Sequence, residues 1–108
     1  MDYEFTIVVP VYNEEENLER VEKELSNYTK IATRKTKVLF VNDGSKDKSQ
    51  ELIEVICTRN ESFSYINFEN NCGLSAAIAA GFQHTDTELV GYIDSDLQTD
   101  PEDFNLLN

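Results

Sequence analysis

Four short runs of the chain are mainly apolar, and the first of them, FTIVVPV, is a continuous run dominated by β-branched residues. They are rich in β-branched and aromatic residues, which is typical of strands buried on both faces of a parallel sheet. The predicted strands are residues 5–11, 37–43, 63–68 and 88–94. Pro10 stands at the end of the first run, where the strand is expected to stop.

Between these runs, apolar residues recur at the three- and four-residue spacing of an amphipathic helix. The predicted helices lie within residues 13–32, 44–60 and 72–84. Asn13 is the predicted N-cap of the first helix, with Glu16 as its capping-box partner. In the second helix, Leu52, Ile53 and Ile56 are predicted to pack inward. In the third helix, four small residues are predicted to let the backbone approach the sheet: Ala76, Ala77, Ala79 and Ala80. Tyr12 and Phe82 are predicted to be packing residues.

Strands that alternate with helices predict right-handed crossovers. The expected fold is therefore α/β, a three-layer α/β/α arrangement around a mostly parallel sheet. Near the end, Asp100, Pro101, Glu102 and Asp103 have the residue types that begin a helix, but only five residues follow. We therefore expect residues 1–108 to form one domain that is a fragment cut within the helix starting near residue 101.

Composition narrows the class of protein. The 108 residues contain nine Lys and Arg against 21 Asp and Glu, a net charge of −12, so nucleic acid is not an expected partner. The two cysteines, Cys57 and Cys72, form no disulfide or zinc pattern. The first ten residues do not resemble a signal peptide or a membrane span, so a cytosolic location is expected for this segment.

Polar residues follow three of the predicted strands. They form the segments 12–14, 42–45 and 94–98. In an open parallel sheet, ligands bind beyond the carboxyl ends of the strands, so these segments form one acidic rim if the first and fourth strands are neighbours. Glu14 also suits the first turn of a helix, and Asp43 also suits a turn, so neither residue alone decides the function.

Asp94 and Asp96 are harder to explain without a ligand. Alternate residues of an extended segment point the same way, and two carboxylates so placed repel unless a cation lies between them. Mg²⁺ or Mn²⁺ prefers oxygen ligands and leaves positions open for phosphate oxygens. The Asp94-Ser95-Asp96 triplet therefore favours a metal or diphosphate site.

Other kinds of site find little support. Neither GxGxxG nor GxxxxGK[ST] occurs, which weakens dinucleotide-binding and P-loop interpretations, and no Ser-His-Asp arrangement can be assembled. His84 is the single histidine, and its position favours a surface C-cap over catalysis.

Four motifs in order, VVPVYNEEENL, VNDGSKDKS, NNCGLSAAIAAGF and DSDLQTDPED, strongly resemble the nucleotide-binding half of the inverting family 2 glycosyltransferases, which have the GT-A fold, a Rossmann-like nucleotide-binding architecture. The resemblance covers nearly the whole chain. The DSDLQ segment with its following Pro-Glu is similar to the branch that transfers sugars to dolichyl or undecaprenyl phosphate, as in cell-envelope polysaccharide synthesis.

This resemblance implies a donor-binding domain for a UDP- or GDP-linked sugar, with Mg²⁺ or Mn²⁺ as cofactor. It assigns nucleotide binding to Pro10, Tyr12, Glu14, Asp43, Asp94 and Ser95, and metal binding to Asp96 and Gln98. The catalytic or acceptor residues are then expected beyond residue 108, together with any membrane-associated part, so this fragment alone is expected to be inactive.

The implied location of the whole protein is the cytoplasmic face of a membrane. A homodimer that covers an open sheet edge is also expected.

Two alternatives compete with this interpretation. A receiver-like regulatory module that binds Mg²⁺ would want an acidic pair directly after the first strand and a lysine near a fifth strand. A nucleotidyltransferase would want a Gly-rich, basic loop after the first strand, where this chain has VYNEEEN.

Overall fold

The computed structural model describes residues 3–93, which form a four-stranded parallel sheet with three helices. The strands are β1 (Phe5–Val11), β2 (Thr36–Asn42), β3 (Phe63–Asn67) and β4 (Leu89–Tyr92). The helices are α1 (Leu18–Ile31), α2 (Ser49–Arg59) and α3 (Leu74–Gln83). The predicted α/β class and order of elements are confirmed, while the helix expected near residue 101 lies outside the described residues.

The sheet order is β3-β2-β1-β4, so β1 lies between β2 and β4. Phe5 pairs in parallel register with Thr36 on one side and with Leu89 on the other. The first and fourth strands are therefore neighbours, and the carboxyl ends of β1, β2 and β4 lie at the same edge of the sheet. This reversal of strand order beside β1 is the position where open α/β sheets bind ligands.

One face of the sheet packs against α1 and α2. Alternate residues of β1 point to this face, as the two-residue period of a strand requires, and α1 contributes a stripe at helical spacing. The core here includes Ile7, Val9, Val11, Leu18, Val21, Leu25, Phe40, Ile53 and Ile56. Burying so many aliphatic side chains is the main stabilising contribution to this half of the fold, at about 1.5–3 kcal/mol for each fully buried large side chain.

The opposite face packs against α3, where small residues allow close approach. Ala77 and Gly81 are the buried residues of this helix. A Cβ at Gly81 would lie within van der Waals overlap of the Val8 side chain, so the helix backbone rests directly on β1. Helices on both faces confirm the three-layer arrangement.

Some packing predictions were wrong. Ala76 and Ala79 are exposed and Ala80 is half-buried, because the side of α3 that faces the sheet is centred on Ala77 and Gly81. Leu52, Phe82 and Tyr12 are exposed by 36%, 43% and 46%, so they lie at the surface rather than in the core.

The start of α1 also differs from the prediction. The helix begins at Leu18 with Asn17 as N-cap, and Asn13 has a left-handed backbone, φ 53°. Asn13 is therefore no N-cap, and the capping box with Glu16 is not formed. Residues 12–17 instead form a loop at the carboxyl end of β1.

Two minor features agree with the sequence. His84 is the exposed C-cap of α3, with its Nδ1 2.9 Å from the Ala80 carbonyl oxygen. Cys57 and Cys72 are both free thiols. Within residues 3–93, no helix has the length and apolar character needed to cross a membrane.

Candidate functional site

Asp43, directly after β2, has its carboxylate almost fully buried, with 4% of the residue exposed. Its Oδ1 accepts a hydrogen bond from the Cys72 backbone N–H at 2.7 Å. Its Oδ2 accepts from the Gly73 N–H and from the Asn71 side-chain amide, both at 3.0 Å. The side chain thus ties the end of β2 to the loop between β3 and α3.

Gly44 allows that loop to come close. Its φ is +70°, and a Cβ there would lie 2.4 Å from the Asn70 carbonyl carbon and 2.4 Å from the Asn71 nitrogen. Backbone atoms cannot be displaced as a flexible side chain can, so only glycine fits both the dihedral angle and the contact. The Asp43-Gly44 pair therefore brings the β3–α3 loop to the edge of the sheet.

A pocket of about 260 Å³ lies between this loop and the end of β1. It is lined by Pro10, Val11, Tyr12, Asp43, Asn71, Gly73 and Leu74. The side chains of Tyr12 and Leu74 are exposed by 46% and 56%, which leaves apolar surface at the edge of the pocket. A lining of apolar and aromatic residues with a few polar groups is the usual composition of a small-molecule site.

The structure brings together three of the residues predicted from sequence. Pro10, Tyr12 and Asp43 line this one pocket. Glu14 is not among its lining residues; it lies in the adjoining β1–α1 loop, half-buried, with its N–H bonded to the Ser49 hydroxyl oxygen at 2.9 Å. Asp94, Ser95, Asp96 and Gln98 lie outside the described residues.

Asn71, Gly73 and Leu74 were not predicted as site residues. The signal available was the NNCG segment, whose polar residues and glycine precede a helix without an obvious cap. What the sequence could not show is that Asp43, 28 residues earlier, folds this loop against the pocket.

The described residues contain no group of three or more His, Cys, Asp or Glu side chains placed to hold a metal ion. Asp43 itself is surrounded by N–H donors, an environment that suits a bare carboxylate and not a metal ligand. A divalent cation at this edge would therefore depend on carboxylates other than Asp43.

The chain is similar to known proteins over nearly its whole length. The sequence model of Glycosyl transferase family 2 matches residues 6–107. A dolichyl-phosphate beta-glucosyltransferase of Trichomonas vaginalis is 38% identical over 107 residues, covering 94% of this chain and 33% of that protein. An undecaprenyl-phosphate 4-deoxy-4-formamido-L-arabinose transferase of Yersinia enterocolitica is 36% identical over 99 residues, covering 91% of this chain and 30% of that protein. The chain thus spans about a third of the length of these relatives.

A solved structure shows the same fold. A mannosyltransferase from Pyrobaculum calidifontis, in complex with GDP-Man and Mn²⁺, superposes with a TM-score of 0.74 at 21% identity, covering 89% of this chain and 28% of that one. The expected GT-A architecture is thereby confirmed.

Proposed function

Because this chain belongs to glycosyl transferase family 2, we propose that it is the donor-binding part of an enzyme that transfers a sugar from a nucleotide diphosphate sugar, with inversion. The observation that carries the proposal is the pocket at the end of β1, where Pro10, Tyr12 and Asp43 converge beside the reversal of strand order. Its volume of about 260 Å³ is just below the range of roughly 300–1,000 Å³ usual for small-molecule sites. This size suits the nucleoside portion of the donor, with the diphosphate and sugar extending past the rim.

Asp43 offers the ligand a limited but specific contact. A carboxylate has about four lone-pair positions, and three are taken by the N–H groups of the β3–α3 loop. About one position is left, which suits one N–H or O–H donor of a base or ribose. Tyr12, whose ring is half exposed at the edge of the pocket, offers a surface for stacking.

For the diphosphate we propose that Asp96 and Gln98 hold Mg²⁺ or Mn²⁺, with Asp94 and Ser95 contacting the nucleotide. The support is the alternate spacing of the two aspartates in the sequence, together with the Mn²⁺ bound by the Pyrobaculum protein of the same fold. When bound, the metal would offset the charge that develops on the departing diphosphate. Glu14, held at the rim, is proposed to contact the ribose.

The proposed acceptor is a polyprenyl phosphate, because the two curated relatives are named for dolichyl-phosphate and undecaprenyl-phosphate substrates. A phosphate acceptor is already anionic near neutral pH, so transfer would need little help from a general base. Such an acceptor implies that the whole protein works at a membrane surface, which we propose to be the cytoplasmic face. The residues that bind the acceptor are proposed to lie beyond residue 108.

A homodimer is also proposed. Within residues 3–93, β3 and β4 each pair with a single strand, and an open edge favours pairing with another chain. Sedimentation equilibrium tests this: a single species at the mass of one chain across the concentration range would contradict it.

Calorimetric titration of the protein with UDP and with GDP, each with and without Mn²⁺ or Mg²⁺, tests the donor site. We expect metal-dependent binding of one nucleotide and its loss in the Asp96→Ala variant. Asp86→Ala is the matched control, because Asp86 is an exposed carboxylate paired with Lys37 that precedes β4, at the edge of the sheet opposite the carboxyl ends of the strands. Binding of neither nucleotide by a folded protein, or equal binding by Asp96→Ala, would contradict the proposal.

A further inference from the structure

The loops after β1 and β2 are joined by four hydrogen bonds. The N–H groups of three consecutive residues, Asn13, Glu14 and Glu15, each donate to a side chain of the β2–α2 segment. Their acceptors are Ser45 Oγ at 2.9 Å, Ser49 Oγ at 2.9 Å and Asp47 Oδ2 at 3.2 Å. In the fourth bond, Asn13 Oδ1 accepts from the Lys46 N–H at 2.8 Å.

Side chains of the SKDKS segment, residues 45–49, alternate between facing the β1–α1 loop and facing solvent. Ser45, Asp47 and Ser49 face the β1–α1 loop, while Lys46 and Lys48 are exposed. The motif thus contains three side chains that bind a neighbouring loop and take no part in the pocket.

Ser49 and Asp47 form the centre of this contact. Ser49 is fully buried, accepts from the Glu14 N–H, and donates its own N–H to Asp47 Oδ1 at 2.8 Å. Burial of Asp47 acts to raise its pKa, but the hydrogen bonds from the Ser49 hydroxyl and from the Ser49 and Glu15 N–H groups outweigh it and keep the pKa below the ordinary value. Asp47 therefore stays ionised and accepting at neutral pH.

The Glu14 backbone is fixed from both sides as a result. Its N–H is bonded to Ser49, and its carbonyl oxygen accepts from the Asn17 and Leu18 N–H groups at 2.9 and 3.2 Å, where α1 begins. The first helix has no side-chain cap hydrogen bond at Asn17, and the Glu14 carbonyl oxygen accepts from the first N–H groups instead. The position of the β1–α1 loop, and with it the start of α1, therefore depends on its contacts with the β2–α2 segment.

We propose that Ser49 and Asp47 are positioning residues of the donor site, holding Glu14 and the adjoining Tyr12 where the nucleotide binds. The inference rests on the proposed donor-binding function. Neither residue lines the pocket, so both act through the β1–α1 loop. Their effect on the ligand is indirect, by preorganisation of the rim.

The test compares Ser49→Ala and Asp47→Asn with Thr58→Ala. Thr58 is a matched control because it lies on the same helix and its hydroxyl donates only locally, to the Val55 carbonyl oxygen. Two quantities are measured on each protein below its unfolding temperature. One is amide hydrogen exchange at Glu14 and Glu15 by NMR, and the other is the Kd of whichever of UDP and GDP the wild-type protein binds in the calorimetric titration. Asp47→Asn is included because Asp47 is only partly buried, so this variant folds even if Ser49→Ala does not.

We expect faster exchange at Glu14 or Glu15 and an affinity lower by about fivefold or more, as loss of one hydrogen bond allows, while Thr58→Ala changes neither. Unchanged affinity despite faster exchange would overturn the positioning role and leave the contact purely structural. Unchanged exchange would overturn it too. If the wild-type protein binds no nucleotide, the proposed function itself fails, and the exchange data then show separately whether the loop contact exists.

Discussion

Replacing Asp43 by asparagine tests the central contact of the candidate site with almost no change of shape. The carboxylate faces three N–H donors and no other polar partner among the described contacts. An asparagine oxygen can take the place of Oδ2 and keep the bonds from Gly73 and Asn71. Its NH₂ group then faces the Cys72 N–H, where two donors oppose each other.

The magnitude follows from these contacts. A hydrogen bond to a charged group contributes about 1.5–3 kcal/mol net, and a neutral one about half of that. Asp43→Asn loses one charge-assisted bond and reduces two others to neutral ones, so we expect the free energy of unfolding to fall by about 3–6 kcal/mol. This is a large share of the roughly 5–15 kcal/mol of a typical domain.

Urea unfolding followed by far-UV circular dichroism measures the change, with Asp86→Asn as the control because its carboxylate is exposed. The unfolding midpoint should fall for Asp43→Asn and stay within error for Asp86→Asn. If both variants unfold at the wild-type midpoint, the three hydrogen bonds do not hold the β3–α3 loop. The inference that Asp43 builds the pocket would then be wrong.

Three further outcomes can be measured on the same protein. Gly44→Ala should destabilise it more than Gly73→Ala, since both glycines have positive φ but a Cβ meets backbone at Gly44 and nothing within 4 Å at Gly73; equal urea midpoints would contradict this. Cys72 should react with a thiol reagent at pH 8 much faster than Cys57, because burial and the Glu22 charge raise the pKa of Cys57 to about 11. The two rates are measured in single-cysteine variants, and equal rates would contradict the prediction. The pKa of Asp47 is lowered in the folded state, so its contribution to stability is present above the unfolded value of about 3.9 and is lost as the pH falls through the folded pKa. The Asp47→Asn variant should therefore lose less stability than the wild-type protein when the pH is lowered from about 5 through this range. Parallel curves of stability against pH for the two proteins would refute this prediction.

The strands were predictable from sequence because their signal is local and unambiguous. The run 5–11 has no polar face, and β1 occupies those residues. Residue order alone also indicated a ligand edge, since the polar segments follow strands. Tyr12 and Asp43 lie in these segments, Pro10 was assigned by the family resemblance, and all three line one pocket.

The helix starts were not predictable for a physical reason. Asn13 has the chemistry of an N-cap, but its side chain accepts from Lys46 of another loop, and the chain takes a left-handed turn there. Asn71 and Leu74 were missed for the same reason, because the loop before α3 reaches the pocket through contacts with Asp43, which is 28 residues before Asn71. Local patterns identify residues with capping or binding chemistry, while tertiary contacts decide which partner they take.

The central position of β1 has a consequence for how the protein folds during synthesis. Phe5 pairs with Leu89, 89 − 5 = 84 residues later, whereas its pairing with Thr36 spans 36 − 5 = 31 residues. Contacts so distant in sequence form slowly, and a ribosome adds only about 5–20 residues per second. The three strands β1, β2 and β3 can therefore associate first. The edge of β1 that pairs with β4 then stays unpaired for several seconds, until β4 has been synthesised. During that interval the nascent chain exposes an aggregation-prone edge, so deletion or weakening of β4 should lower soluble yield more than its four residues would suggest.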